Sequence, residues 1–251
     1  MTSIIFKGIE RNNCVYLNTE TSSINSEVEP SLIVVGDSHA DSTISAVTMS
    51  AYQNNKEGVL FYGMPGCLTV TGLNQVYGRN DDCYRFAANL FESISNKYIQ
   101  TAILLTNRLS YYCQGHLWGI DLVRFITEKS NVNNQQSMIK ANLEVKKRYL
   151  ENICQLASKR KLYITKPIPE FNKDIAKTIA RSFILDNKIE KIVLTLDDYY
   201  ARNEFVLNML DEASLKCGVT LIDPVPYLCD EDYCIGSHGN RPLYYDDHHL
   251  S

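Results

Sequence analysis

The chain has 251 residues, 45% of them hydrophobic, and its 25 Lys and Arg residues against 29 Asp and Glu give a formal net charge of −4. This length fits one large α/β domain, and the composition excludes a disordered or fibrous chain. The charge balance provides no basic surface for nucleic acid, and no apolar run approaches the roughly 18 residues of a membrane span. The first residues carry no readable secretory signal.

Short apolar runs alternate along the chain with amphipathic stretches. The apolar runs predict buried strands over 31–35, 58–62, 101–106, 161–165, 191–195 and 219–222. The amphipathic stretches predict helices over 41–53, 84–95, 139–158, 173–185 and 202–216. This alternation is typical of a three-layer α/β/α sandwich in which helices cover both faces of a parallel sheet. We expect residues 1–30 to be a lead-in that packs on the main domain, residues 31–251, and residues 131–137 to form a surface loop.

Eight cysteines are many for a chain of this size. The spacings of Cys67 with Cys83 and of Cys229 with Cys234 favour short disulfide loops, and the absence of a C-x-x-C motif or a spaced histidine pair beside them makes zinc the weaker interpretation. The other four cysteines have no partner that the sequence reveals: Cys14, Cys113, Cys154 and Cys217. For the last two, which fall in helix-like segments, the simplest expectation is a buried thiol.

A serine follows the first predicted strand, in the run Gly36-Asp37-Ser38-His39-Ala40. In an open α/β sheet, ligands bind outside the carboxyl ends of the strands. A serine at the start of the next helix can attack an acyl carbon, because backbone N–H groups there stabilise the oxyanion that forms. Ser38 with Asp41 also fits a capping box, in which the serine is only a helix cap.

The end of the chain, Tyr244 to Ser251, holds a second candidate motif. Asp246 lies three residues before His249, so its carboxylate can accept the Nδ1 proton and leave Nε2 free to take a proton from a serine. The alternative is a polar, solvated tail, in which His248 and Asp247 form a surface pair.

Together the two motifs resemble the SGNH (GDSL-like) hydrolase and acyltransferase superfamily. Within this superfamily, the chain most resembles the SGNH domain fused to bacterial acyltransferase-3 membrane proteins, which O-acetylate surface polysaccharides. Besides the serine and histidine motifs, three further segments carry it: Gly66-Cys67 to Cys83, Lys166 to Glu170, and Ile222-Asp223-Pro224 followed by Cys229 and Cys234.

The resemblance implies a flavodoxin-like sheet and a role for each of several residues. Ser38 would be the nucleophile, His249 the general base and Asp246 its orienting carboxylate. The Ser38 N–H, Gly63 or Gly66, and Asn107 would form the oxyanion hole, although Thr106-Asn107-Arg108 replaces the Gly-x-Asn-Asp motif of the family. For Asn107 the alternative is a turn residue at the end of a strand. Arg108 is a candidate to bind an anionic or sugar substrate; the alternative is an ordinary surface arginine.

The resemblance also implies an activity and a location. It predicts O-acetyl transfer from an acetyl donor to a sugar hydroxyl of a surface glycan such as lipopolysaccharide, or the related esterase reaction, without a cofactor or metal. The partner would be a fused or associated acyltransferase-3 membrane domain, and the location the periplasmic or extracytoplasmic face of the inner membrane. Since the family normally continues into a final helix beyond the histidine motif, we expect His249 to lie on a segment that tends to fray.

Two other classes of function stay open at this point. Asp37-x-His39 after a strand, with Asp246 and His249, also matches the ligand pattern of a metal-dependent phosphoesterase. A module of the same fold that only binds glycan or supports a membrane partner is the third interpretation.

Overall fold

A computed structural model of the chain describes residues 13–16, 30–54, 58–75, 80–115, 125–126, 135–185 and 191–251. Its strands are β1 (Asn13–Tyr16), β2 (Leu32–Gly36), β3 (Val59–Gly63), β4 (Asn74–Gln75), β5 (Ala102–Thr106), β6 (Phe125–Ile126), β7 (Leu162–Thr165), β8 (Val193–Thr195), β9 (Thr220–Ile222), β10 (Tyr233–Ile235), β11 (Ser237–His238) and β12 (Arg241–Pro242). Its helices are α1 (Ser38–Gln53), α2 (Asn80–Lys97), α3 (Leu109–Gln114), α4 (Gln135–Ala157), α5 (Ile175–Leu185), α6 (Leu196–Cys217) and α7 (Val225–Leu228).

A six-stranded sheet with the order β1-β3-β2-β5-β7-β9 forms the centre of the fold. The last five of these strands run parallel, and β1 pairs antiparallel with β3 at one edge. Counted along the chain, the parallel strands have the order 2-1-3-4-5, which is the flavodoxin-like arrangement. The structure thus confirms the predicted α/β fold with a mostly parallel sheet. The strand order reverses between β2 and β5, and ligands bind at such a point.

Helices α1 and α2 begin three and four residues before their predicted starts, and three further predictions also differ from the structure. The strand predicted at 191–195 lies outside the central sheet: β8 pairs antiparallel with β10. Its residues are exposed or half-buried, whereas a central parallel strand is covered on both faces. Helix α6 begins at Leu196, six positions before the predicted start, because the Thr195 hydroxyl caps it by accepting a hydrogen bond from Asp198 N. Helix α4 already begins at Gln135, so the predicted surface loop at 131–137 is wrong at its end, while residues 131–134 lie outside the described residues.

Alternate residues of the central strands pack on opposite faces of the sheet. Ile33 and Val35 of β2 belong to a large apolar cluster with residues of α2, α4 and α6, whereas Val34 packs in a smaller cluster with α1. A third cluster contains Phe171, Tyr244 and residues of α5, and it connects the C-terminal segment to the rest of the molecule. This period of two is what a sheet covered on both faces requires.

The carboxyl ends of β2 and β5 approach each other closely. Gly36 pairs with Thr106 at the last register position of the two strands. A Cβ atom at Gly36 would collide with the Thr106 carbonyl oxygen and with Cβ of Ala40, so only glycine allows this approach. As a result, the residues that follow the two strands, Asp37 and Asn107, emerge side by side.

The structure contains both disulfides that the sequence predicts, Cys67–Cys83 and Cys229–Cys234. The described residues form a third, Cys154–Cys217, which links α4 to α6. The expectation of buried thiols at these two positions was therefore wrong. The two cysteines are 63 residues apart in the chain, and they meet only because α4 and α6 pack together, so their spacing in the sequence does not reveal the bond.

Cys113 is a buried free thiol, and burial raises its pKa to about 12. Such a thiol is protonated and unreactive at neutral pH. The Cys14 side chain lies outside the described residues. None of the helices in the described ranges has the length and hydropathy that crossing a bilayer requires.

Candidate active site

The Asp37 carboxylate is a buried hub at the end of β2, with only 1% of the residue exposed. Its Oδ1 accepts a hydrogen bond of 2.9 Å from His39 N. Its Oδ2 accepts bonds of 2.9 Å from Arg108 N and 2.8 Å from the Tyr112 hydroxyl. Burial raises the pKa of this carboxyl, and the bonds from the two backbone N–H groups only partly offset that rise. Asp37 therefore connects the start of α1 to the end of β5, and its oxygens already have three donors.

Ser38 is the first residue of α1 and is half-buried. The N-cap of this helix is Asp37, whose side chain accepts from His39 N. The alternative in which Ser38 caps the helix is therefore wrong. The first N–H groups of a helix lack partners within the helix, and they carry its positive dipole end. An oxyanion beside Ser38 would be stabilised by such groups.

Asp246 and His249 form a tight pair on the C-terminal segment. His249 Nδ1 lies 2.6 Å from Asp246 Oδ2. Burial favours a higher pKa for Asp246, but bonds from His248 N, from the His249 ring and from His249 N outweigh it, so the pKa lies below its ordinary value. An ionised carboxylate only accepts, so His249 Nδ1 is the donor and its proton sits on that nitrogen. The pairing is the orientation that a catalytic base needs.

Backbone hydrogen bonds hold this segment in place. Asp246 O accepts a bond of 3.0 Å from Ile175 N, and Asp247 O accepts one of 2.8 Å from Phe171 N. Tyr245 N donates to His249 O at 3.1 Å, so the segment also closes on itself. The expected fraying is therefore not seen. The loop at Phe171 and the start of α5 hold the backbone of Asp246 and Asp247 by hydrogen bonds.

Two further histidines surround the pair. His39, next to Ser38, is 2% exposed, and its Nε2 lies 3.4 Å from His248 Nδ1. The His39 ring also packs edge-on against His249, with ring centroids 5.3 Å apart. Burial lowers the pKa of His39 to about 3. Burial and the positive charge of Arg108 lower the pKa of His248 to about 4. Both rings are therefore neutral at about pH 7. The interpretation of His248 as a surface residue is wrong, since its side chain is only 12% exposed.

These contacts bring the two predicted motifs together, since the residue after Ser38 packs on both C-terminal histidines. On its outer side, the His249 ring stacks on Tyr245, with centroids 5.0 Å apart and planes 2° from parallel. His249 Nε2 is buried, and among the described residues it has no hydrogen-bond partner. In the described residues, this nitrogen is therefore the unpartnered end of the imidazole, opposite the Nδ1 that faces Asp246.

The predicted oxyanion donors have different surroundings. Asn107 is 5% exposed, and its Oδ1 accepts a bond of 2.7 Å from the Thr69 hydroxyl. Its Nδ2 is buried and makes no hydrogen bond of ordinary length within the described part of the chain. The Asn107 side chain nevertheless acts on Asp37 and lowers the pKa of that carboxyl, against the larger effect of burial. Gly63 ends β3, and a Cβ there would collide with the Phe61 ring. Gly66 is exposed at φ +75°, in a Pro-Gly turn closed by Cys67 N bonding to Met64 O.

Arg108 is not an ordinary surface arginine. Arg108 is only 8% exposed. Its guanidinium donates two parallel hydrogen bonds of 2.8 and 2.9 Å to the Glu170 carboxylate. Arg202 lies 3.9 Å from the same carboxylate. Burial favours a higher pKa for Glu170, but the bonds and charge of Arg108 outweigh it and keep the pKa below its ordinary value. The role of Arg108 in substrate binding stays a prediction.

Sequence reasoning missed the partners rather than the motifs. Arg108 follows β5 and Glu170 follows β7, and these two strands are neighbours in the sheet. Because residues that follow neighbouring parallel strands meet at one edge of the sheet, the sequence could have predicted their ion pair. Tyr112 and His39 gave no such signal, because their partners lie 75 and 209 positions away in the chain.

Comparisons with known proteins identify the family and the fold. The family model described as the SGNH domain fused to AT3 domains matches residues 6–251. A solved structure described as the periplasmic domain of a Salmonella ser. Paratyphi A lipopolysaccharide acetyltransferase has the same fold, with a TM-score of 0.59 and 17% identity, over 89% of this chain and 78% of that one. No curated protein sequence matches the chain. The chain belongs to the family of SGNH domains that are fused to AT3 domains.

Proposed function

We propose that this chain is the catalytic domain of a serine-dependent O-acyltransferase, which moves an acetyl group to a sugar hydroxyl of a bacterial surface glycan. Ser38 is the nucleophile, His249 the general base and Asp246 the carboxylate that orients it. The observation that carries the proposal is the His249 imidazole: Nδ1 is held by Asp246 at 2.6 Å, and Nε2 is buried without a partner in the described structure. The imidazole also packs on the residue that follows the serine.

In the first step, Ser38 Oγ attacks the carbonyl carbon of the acetyl donor, and its proton passes to His249 Nε2. The Oγ–C bond forms as the carbonyl becomes an oxyanion, and in this proposal the Ser38 N–H and the Asn107 Nδ2 group stabilise it. The intermediate then collapses, and the bond between the carbonyl carbon and the leaving group breaks. The leaving group takes the proton from His249, and the acetyl group stays on Ser38.

In the second step, a sugar hydroxyl attacks the acetyl-serine and gives its proton to His249. The bond to Ser38 Oγ breaks, and the serine recovers the proton. Water in place of the sugar turns the same steps into ester hydrolysis, so a transferase and an esterase differ only in the acceptor. Throughout, the ionised Asp246 stabilises the imidazolium that forms on His249.

Two observations weigh against the metal-dependent phosphoesterase. The oxygens of Asp37 are occupied by three donors from the protein, two of them backbone N–H groups. A catalytic metal ligand needs a lone pair that points at the ion, and this carboxylate has its bonds to α1 and β5 instead. The Asp246 carboxylate is likewise occupied by His248 N and by His249.

The location that we propose is extracytoplasmic, on the periplasmic side of the inner membrane, with a fused or associated acyltransferase-3 domain as the partner. Three disulfides in the described residues support this location, because cytosolic reductants keep most thiols reduced. Denatured, unreduced protein from its native compartment should give a free-thiol count of about two, whereas a count near eight would contradict the proposal.

The test of the activity is covalent labelling with a fluorophosphonate probe, followed by peptide mass spectrometry. We expect one adduct, on Ser38, that forms equally well in EDTA. The Ser38→Ala variant should lose the adduct, and His249→Ala should form it much more slowly. Labelling that disappears in EDTA would favour the metal-dependent class. No labelling in a folded chain would leave the glycan-binding module as the better interpretation.

The matched control is His238→Ala. His238 lies in β11, is exposed, and does not contact the site histidines by any ring or hydrogen bond in the described residues. Its variant should label like the parent chain. Hydrolysis of a simple acetate ester, with and without an added sugar acceptor, then separates esterase from transferase: acetylated sugar forms only in the latter.

A further inference from the structure

Three imidazoles meet beside the helix start: His39, His248 and His249. One ring nitrogen from each lies within 4.8 Å of the other two. The rings come from distant parts of the chain, since His39 begins α1 and the other two are in the C-terminal segment. The proposed acyl-transfer mechanism uses only one of them, so the close approach of the other two has no explanation in that chemistry.

The distance between two of these nitrogens suits a shared ion. His39 Nε2 and His248 Nδ1 are 3.4 Å apart, which is long for a hydrogen bond between ring nitrogens. Zinc is bound tetrahedrally by histidine at about 2.0–2.1 Å, and two nitrogens on such a tetrahedron are about 3.4 Å apart. The pair therefore already has the spacing of two zinc ligands.

The His249 ring has the environment of a metal-binding histidine. His249 Nε2 is buried and has no hydrogen-bond partner among the described residues. Its other nitrogen, Nδ1, donates to the Asp246 carboxylate at 2.6 Å. Histidines that bind zinc commonly donate their second N–H to a carboxylate, which fixes the ring and strengthens the ligand. Asp247 Oδ1 lies 3.9 Å from His248 Nε2, beyond hydrogen-bond distance, so it acts on the second ring only through its charge.

We propose that His39, His248 and His249 form an inhibitory site for Zn²⁺ or a similar divalent transition metal. The ion would bind the three nitrogens and keep a water as its fourth ligand. The inhibitory role rests on the proposed function, because the metal occupies the Nε2 lone pair that otherwise accepts the Ser38 proton. Each ring would bind as neutral imidazole, with its proton on the ring nitrogen that does not contact the metal.

Metal binding is tested first, on the EDTA-treated and dialysed 251-residue chain, without any assay of activity. Tetrahedral Co²⁺ has an intense visible absorption, so titration with Co²⁺ should give this band, saturate at one ion per chain, and lose the band when Zn²⁺ is added. His39→Gln and His248→Gln should each weaken binding by roughly tenfold or more, whereas His238→Gln should bind like the parent chain. No band in the parent chain, or equal binding by all variants, would overturn the site.

Inhibition is tested separately, by hydrolysis of an acetate ester and by fluorophosphonate labelling of Ser38. The metal-free chain should be active, Zn²⁺ should suppress both readouts, and EDTA should restore them. Activity that requires Zn²⁺, or that Zn²⁺ leaves unchanged despite the Co²⁺ band, would overturn the inhibitory role. A chain that is inactive under all conditions contradicts the proposed function and the inhibitory role with it, while the Co²⁺ titration still decides the site.

Discussion

The Asp37 carboxylate accepts a hydrogen bond of 2.9 Å from the backbone N–H of Arg108, which lies 71 positions further along the chain. This bond joins the ends of β2 and β5 at the point where the strand order of the sheet reverses. In the Gly-Asp-Ser motif, the aspartate thus fastens the serine-bearing turn to the neighbouring strand end. Its contribution is positional, and in the proposed mechanism Ser38 carries the chemistry.

Asp37→Asn should therefore destabilise the protein and misplace the serine together. Both Asp37 oxygens accept hydrogen bonds. The Asn amide has only one oxygen, so its NH₂ group would replace an acceptor and face a hydrogen-bond donor. We expect a loss of about 3 kcal/mol in the free energy of unfolding by urea, and slower labelling of Ser38 in the folded fraction. Tyr112→Phe removes only one of the three donors and should give a smaller loss. Equal stability of Asp37→Asn and the parent chain would contradict the positional role.

Much of this arrangement could be predicted from the sequence, because the apolar runs and the two motifs are local signals. Alternation alone does not specify the strand order of the sheet, which came from the family resemblance. The helix cap depends on whether the Asp37 or the Ser38 side chain turns back to the helix, and the sequence leaves both open. His248 illustrates the limit: next to Asp247 it has the pattern of a surface pair, yet it is half-buried because His39 comes from 209 positions away to cover it. The Cys154–Cys217 disulfide was missed for the same reason.

The Asp246–His249 pair should behave as one unit in catalysis. Asp246→Asn keeps the size of the side chain but replaces the acceptor of the Nδ1 proton with an amide that can also donate, and so disturbs the tautomer of His249. We expect kcat for an acetate ester to fall about 10⁴-fold in this variant. The double variant with His249→Ala should be no slower than His249→Ala alone, since the carboxylate acts only through the ring.

The informative result is the lack of additivity. If the two substitutions reduced kcat independently, their effects would multiply, and Asp246 would have a role apart from His249. Circular dichroism of each variant is needed beside the kinetics, because Asp246 also accepts bonds from His248 N and His249 N that shape the turn.

Asn107 is the proposed oxyanion donor with the most specific surroundings. Its Oδ1 is fixed by Thr69, while its Nδ2 stays buried and without a hydrogen bond of ordinary length in the described ranges. Asn107→Ala should lower kcat for ester hydrolysis by about 10²–10³-fold and change KM little, as expected for a donor that acts on the transition state. Thr69→Val leaves the amide in place without its anchor and should have a smaller effect. An unchanged kcat in a destabilised Asn107→Ala would make Asn107 a turn residue only.

The Arg108–Glu170 pair predicts a particular dependence of stability on pH. The folded-state pKa of Glu170 lies below its ordinary value, so around pH 4 the unfolded chain binds more protons than the folded one. The stability that this carboxylate contributes is complete above its unfolded-state pKa, and it is lost as the pH falls through the folded-state pKa. At about pH 7, Glu170→Gln should lower the free energy of unfolding by about 3–5 kcal/mol, because it leaves the buried Arg108 unpaired.

Urea unfolding of both proteins between about pH 7 and pH 3 measures this difference. The gap between the parent chain and Glu170→Gln should shrink toward acid, because the parent chain alone loses the charge that the variant never had. Glu151→Gln is the matched control: Glu151 pairs with Arg148 at 3.3 Å but is 50% exposed, so its removal should change stability little at any pH. A gap that stays constant down to acid pH would show that Glu170 acts through its packing rather than through its charge.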